Sequence, residues 1–334
     1  MIHGISRLRI TFLAAAIFIM LITLRSAAEA ATQTFTLRPG WNAIFLEVQP
    51  DVKDPASVFR ELPVESVWTW FDRGTSVEFI RNPSEGLWAQ PGWNVYVKST
   101  DPAKSALTNL HAIFANRAYL IKLGGRQAYT WTISGIPVAA AVTWTPNSYN
   151  LLGFKVNPAG PPTFANFFAP SAAHKGQAIY RLSDEGVWTL VTSPAATQVR
   201  SGEAYWVYCS GSSTYQGPLG LTVGGNALNY GLAGTMKTIT ISNQTTLSRT
   251  VTLKLLPQAA WMTYQSFNAS TGYFEYPLLS GMPPIVLPAG KQANVWIAVS
   301  RAAVPSGLTQ AVLEVSDNYG SRYLVPVSVE KLAQ

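Results

Sequence analysis

The feature that most constrains this chain is a repeat. The run Ser201-Gly202-Glu203-Ala204-Tyr205-Trp206-Val207-Tyr208-Cys209-Ser210-Gly211 reads as a strand with no charge from Ala204 to Cys209. It has an echo in Asn116-Arg117-Ala118-Tyr119-Leu120-Ile121. The same landmarks precede both copies. Asn42, Glu47 and Val48 match Asn150, Lys155 and Val156 at a constant offset. Asp54-Pro55 opens a short helix, with Asp as the cap and Pro at the first helical position. Pro162-Thr163-Phe164 to Phe168 opens its counterpart, with Phe164, Phe167 and Phe168 on one face. Val67-Trp68-Thr69-Trp70, a turn at Asp72-Arg73-Gly74 and a returning strand Val77–Ile80 match Ile179–Leu182 and Asp184-Glu185-Gly186. Period-two patterns dominate, so each copy is a β-domain. Glu47 and Lys155 read as one outward-facing slot, charged in both copies. Copy one is longer before its closing strand, by a segment centred on Trp88 to Leu110.

From Leu221 the pattern changes. Thr238-Ile239-Thr240-Ile241-Ser242 and Thr250-Val251-Thr252-Leu253-Lys254-Leu255 alternate between apolar and polar. Further strands are expected at Ala293–Ser300, Ala311–Ser316 and Tyr323–Val329, the last two joined by a loop at Asp317-Asn318-Tyr319-Gly320. Such alternation suits an antiparallel sandwich with one face dry and one wet. Leu287-Pro288-Ala289-Gly290 before a strand, and Val315-Ser316-Asp317 through Pro326-Val327, resemble the Ig-like modules of bacterial exported proteins. The resemblance covers the last third of the chain and implies a fold, not an activity. The paired domains resemble parts of uncharacterised bacterial exported proteins, and no functional residue carries over from them. The expected architecture is all-β: residues 31–140 and 141–221 as two repeated β-domains, each with a short helix, and 222–334 as an Ig-like β-sandwich.

Residues 1–30 read as a secretory signal peptide. Arg7 and Arg9 form a basic start, Ile10–Leu24 is apolar apart from Thr11 and Thr23, and Ala28-Glu29-Ala30 fits a small-x-small cleavage site before Ala31. Such a run is short for a bilayer span of about 20 residues, so no membrane span is expected after cleavage. The expected location is the periplasm, the cell surface or the extracellular space. An exported chain with Cys209 as its one cysteine forms no intrachain disulfide. Charged residues are 12% of the chain, about half the usual ~25%. The formal net charge of +7 is scattered, without the basic run and interleaved aromatics that nucleic acid requires.

Catalytic and metal patterns are missing from the sequence. The mature histidines, His111 and His174, have no companions at zinc-ligand spacing and read as surface or loop residues. There is no G-x-S-x-G elbow, dinucleotide fingerprint or P-loop. Asp184, Glu185 and Glu203 are the densest acidic set in copy two. As a glycosidase pair they would need a cleft between them; a hairpin turn and a solvated strand edge account for them without chemistry. No cofactor and no metal is expected. The best functional signal is aromatic: 11 Trp, 14 Tyr and 14 Phe. Trp261, Tyr264, Tyr273, Phe274 and Tyr276 crowd one segment between strands of the third domain. They are the candidate ligand-binding residues, since exposed rings make protein hot spots or sugar platforms. The expected function is a non-enzymatic binding or structural role with a protein partner, or else a polysaccharide, at the cell surface. A polysaccharide-acting enzyme comes third. Mass spectrometry of the exported form should give an N-terminus at or near Ala31; intact Met1 in a membrane fraction would indicate an uncleaved anchor.

Overall fold

The structure is a computed structural model, and it describes residues 31–71 and 92–332. The expected signal peptide, the Asp72-Arg73-Gly74 turn, the Val77–Ile80 strand and Trp88 lie outside the described residues. Within them the chain is nearly all β, with short helices.

Copy one contains β1 (Ala31–Leu37), β2 (Gly40–Leu46), β3 (Val48–Pro50), α1 (Pro55–Val58), β4 (Val64–Trp70), β5 (Trp93–Val97), α2 (Pro102–Ser105), β6 (Arg117–Leu123) and β7 (Tyr129–Pro137). Copy two contains β8 (Ser148–Leu152), α3 (Phe164–Phe168), β9 (Ile179–Leu182), β10 (Trp188–Leu190) and β11 (Tyr205–Cys209). Their main sheets run β2-β6-β4-β5 and β8-β11-β9-β10, the same order. The register repeats as well. Ile44 faces Tyr119 and Asn42 faces Ile121 in copy one; Leu152 faces Tyr205 and Asn150 faces Val207 in copy two. Val67 faces Ile121 as Ile179 faces Val207. A one-residue slip would put the core side chains into water, so a matched register is strong evidence of duplication.

Side-chain locks recur at the same places. Asn42 Oδ1 accepts from the Arg38 N–H at 2.8 Å and its amide donates back to the Arg38 carbonyl. Asn150 does the same with Thr145. The Tyr119 hydroxyl accepts from Phe114 N–H at 2.8 Å; the Tyr205 hydroxyl accepts from Arg200 N–H at 2.9 Å. Burial pushes the Tyr119 phenol up to about 12 and raises that of Tyr205. Asp54 and Thr163 cap the first helix of each copy, accepting from Ser57 N–H and Asn166 N–H.

The structure differs from expectation at several places. β4 pairs with β5 on one side, with Trp70 opposite Trp93, and with β6 on the other. Copy one also adds a second sheet, β1-β7-β3, which copy two lacks. Glu47 is buried rather than outward-facing, as set out below. His174 is 1% exposed, not a surface residue. Its ring lies 3.9 Å from that of Trp144, centroid to centroid, with Phe168 and Tyr215 around it. In copy one Trp131 packs against Phe35 and Phe59. His174 thus serves as a core ring.

On β11 the side chains alternate as a strand requires. Tyr205, Val207 and Cys209 are buried, and the Cys209 thiol is free. Trp206 and Tyr208 on the other side are half-buried, so that face is less covered than its lack of charge suggests.

The third domain is a sandwich. One sheet is β12 (Leu219–Val223), β14 (Met236–Asn243), β20 (Gln292–Val299) and β16 (Met262–Tyr264), in that order. The other is β13 (Leu228–Asn229), β22 (Arg322–Lys331), β21 (Gly307–Asp317), β15 (Arg249–Leu256) and β19 (Ile285–Leu287). A hairpin of β17 (Ser266–Asn268) and β18 (Tyr273–Glu275) projects beside β16. The inward residues of the alternating strands, among them Ile239, Ile241, Val251, Leu313 and Val325, form the core. A buried Arg249–Asp317 ion pair fixes the β21–β22 loop, where Asp317 Oδ1 also accepts from Ser321 N–H at 2.8 Å. That loop docks on copy two: the Asn157 N–H donates to the Gly320 carbonyl at 2.8 Å. A Cβ at Gly320 would stand 2.2 Å from the Gly160 carbonyl oxygen, so glycine is required there.

The two repeats join through their sheets. Phe45 N–H donates to the Gly202 carbonyl at 2.8 Å and Ala204 N–H to the Ala43 carbonyl at 3.2 Å. Phe45, Ala118 and Ala204 pack together with Ala43 and Leu151 between them. The contact brings equivalent residues of the two copies together: Ala118 matches Ala204, Ala43 matches Leu151, and Phe45 matches Gly153.

Two outcomes are expected. A Cβ at Gly153 would meet the Phe45 Cβ at 2.3 Å and the Glu203 carbonyl oxygen at 2.7 Å. Gly153→Val should therefore cost about 1–3 kcal/mol or more in a denaturant melt, as overpacking does. Burial depresses His174 to about 4 from an ordinary 6.5. Between those values the unfolded chain binds the proton and the folded chain does not. Stability should fall as pH drops from 6.5 toward 4, by roughly 3 kcal/mol in all. A His174→Leu variant should lose much less over that range in matched denaturant melts at pH 7 and pH 4.5.

Candidate functional site

The structure divides the expected site residues. Trp261 is 4% exposed, part of the sandwich core, which removes it from any binding surface. Its place in the chain between strands concealed this, since loop position and exposure are separate properties. Tyr264 is half-buried against the same core. Tyr273, Phe274 and Tyr276 are 75%, 60% and 51% exposed, and Phe267, missed in the sequence, is 60% exposed. The signal for Phe267 was present: it faces Phe274 across the hairpin. The two rings lie 5.5 Å apart at 65°.

The hairpin is well anchored for a two-stranded element, which is marginal by itself in water. Gly272 takes the left-handed conformation in its turn, with φ +76°. Asn268 closes the turn by accepting from Ser270 N–H at 2.9 Å and donating to Glu275 Oε1 at 2.6 Å. Leu278 bridges back to Thr263 on the edge strand β16. Beside it runs a groove of about 480 Å³ lined by Met236, Tyr276, Leu278 and Ala298. Trp296 stands exposed on the same sheet, two residues before Ala298. Large apolar side chains thus cover both the hairpin and the neighbouring sheet face.

A second aromatic set lies on the repeats. Trp68, Trp70, Trp93, Trp188 and Trp206 form one edge-to-face cluster drawn from both copies, with centroids 5.3–6.3 Å apart. All are half-buried. Their planes meet at 65–79°, so they present no flat platform for a sugar. This cluster is packing between repeats, an outcome that T-shaped ring pairs favour.

Charge gathers at two places. At the first, Glu47, Ser201, Lys155 and Arg322 draw together parts of all three domains. Ser201 Oγ donates to Glu47 Oε1 at 3.2 Å, and Lys155 Nζ donates to the Val138 and Ala140 carbonyls at 2.8 and 2.9 Å. Burial raises the Glu47 carboxyl, against the pull of Arg322 and Lys155. Burial also pushes the Lys155 ammonium down to about 8. Glu47 is buried in this junction and Ser201, Lys155 and Arg322 are half-buried around it.

At the second, the carboxylates weighed as a catalytic pair line a cleft between the repeats. Asp184 pairs with Arg38 of copy one. Glu203 pairs with Arg181 at 2.6 Å and accepts from the Tyr205 hydroxyl at 3.0 Å. Glu185 is exposed at the outer rim. Guanidinium groups thus hold both inner carboxylates. Among the described residues no three His, Cys, Asp or Glu side chains gather as a metal site, and His111 and His174 lie apart. No helix among the described residues is long and apolar enough to cross a membrane.

No family model and no curated protein matches this chain. Solved structures do. A chaperone–tip adhesion subunit pre-assembly complex of the archaic chaperone-usher Csu pili of Acinetobacter baumannii is 11% identical over 34% of this chain and 52% of that one, with a TM-score of 0.24. The SafA pilin of Salmonella enterica in complex with the SafB chaperone is 14% identical over 34% and 54%, with a TM-score of 0.25. This chain spans about half the length of each. The VesB protease of Vibrio cholerae is 11% identical over 91% of this chain and 100% of that one, with a TM-score of 0.24. Likeness this low gives no ground for transferring an activity or a partner to this chain.

Proposed function

We propose that this chain is an exported binding protein of the cell envelope or extracellular space. It engages a protein partner through the β17–β18 hairpin and the sheet face beside it, and it performs no catalysis. The observation that carries the reading is the exposure of Phe267, Tyr273, Phe274 and Tyr276 on one anchored element. Aromatic side chains held in water by a fixed backbone are poised to give up that contact with solvent, and aromatic anchors dominate protein interfaces. Glu275 is the one charged residue on the two strands, so desolvating the patch costs little electrostatically. Export rests on the sequence of residues 1–30. A polysaccharide ligand is the second reading, and it is disfavoured by the 65° angle between Phe267 and Phe274, since sugar stacking uses ring faces in one plane.

The test is site-specific photo-crosslinking in the organism's envelope. A crosslinker replacing Phe274 should yield a discrete protein adduct, and one replacing exposed Val187 on copy two should not. Tyr273→Ser with Phe274→Ser should abolish the adduct formed from a crosslinker at Phe267. The pair should leave stability within about 0.5 kcal/mol per exposed site. Equal adducts from both positions, or none from Phe274, would remove the hairpin as the binding element. Co-sedimentation with an insoluble polysaccharide, lost in the same double variant, would move the function to the second reading.

A further inference from the structure

We propose that the cleft between the two repeats binds one singly charged carboxylate of hexuronic-acid size, at a site separate from the third-domain hairpin. The cleft has a volume of about 230 Å³, below the ~300–1,000 Å³ typical of drug-sized ligands. Its walls come from both copies: Arg38 and Trp41 from one, Arg181, Asp184, Arg200 and Glu203 from the other. The charge count sets the ligand's charge. Arg38 is matched by Asp184 and Arg181 by Glu203. Arg200 shares Glu203 with Arg181, its Nε 4.0 Å from the Glu203 oxygen that accepts from Tyr205. Three guanidiniums against two carboxylates leave the cleft lining with one positive charge in excess. A monocarboxylate neutralises it, and a guanidinium fork fits a carboxylate with two parallel hydrogen bonds. A phosphate dianion would overshoot.

The repeat supplies an internal comparison. The copy-one positions equivalent to Arg181, Arg200 and Glu203 are Thr69, Phe114 and Arg117. Thr69 is buried and donates to the Ala118 carbonyl, and the Arg117 guanidinium sits 3.9 Å over the Phe71 ring. Copy one folds without the charged set, so folding does not demand it in copy two. The hydroxyls of Thr36 and Ser183 and the indole of Trp41 also line the cleft, and these suit a polyol ring.

The test is an amide chemical-shift titration of the whole mature chain, following Gly186 and Gly202. Sodium glucuronate should give a saturable one-site shift, weakened at least tenfold by Arg200→Ala and less by Arg200→Lys. Glucose should give none. Arg200 is exposed, so the variant should keep the parent spectrum elsewhere. Three results would overturn the proposal: no saturation with glucuronate, saturation unchanged in Arg200→Ala, or tighter binding of inorganic phosphate. Tighter binding of N-acetyl-dialanine would overturn it too, in favour of a peptide C-terminus.

Discussion

What joins the first two domains is a pair of backbone hydrogen bonds that carry one sheet into the next, from Phe45 N–H to Gly202 and from Ala204 N–H to Ala43. A sheet edge with open N–H and C=O groups invites pairing with another chain. Here the edge strand of copy one is covered by the lead-in to the closing strand of copy two. Phe45 then lies where a side chain on residue 153 would collide with it. The duplicated domain is therefore asymmetric at its centre: a large ring in one copy and glycine in the other, filling one space between them.

That contact organises what surrounds it. Glu47, two residues beyond Phe45, is buried where Lys155 of copy two and Arg322 of the third domain act on it electrostatically. The Asp317–Ser321 loop, fixed by Arg249, closes on copy two through the bare backbone of Gly320. With the single cysteine buried, no disulfide holds these parts together. Packing and buried polar contacts do so instead. A chain with half the usual charge has few surface ion pairs, and such pairs are worth little in any case.

The surfaces left over are of two kinds. The hairpin on the third domain is apolar, exposed and anchored, which suits a macromolecular partner. The cleft between the repeats is small, polar and has one cation in excess, which suits a small anion. The hairpin lies beside the edge strand β16, and the cleft is lined by residues of both copies.

The sequence by itself determined the class of fold, the repeat and its register, because period-two alternation and recurring landmarks such as Asn42/Asn150 and Tyr119/Tyr205 are local and survive without a partner. It marked the strands of the sandwich and the loop at Asp317–Gly320 for the same reason. The tertiary structure decided the rest. Which way Glu47 and Lys155 faced depended on a neighbouring domain, so of two charges that looked solvated Glu47 is buried and Lys155 half-buried. His174 looked like a loop residue because nothing in its own segment shows the Trp144 ring that covers it. Trp261 and Phe274 are alike in composition and neighbourhood, yet one fills a core and the other meets water. Burial is a property of the partner surface, and a single strand of sequence does not carry the shape of what it packs against.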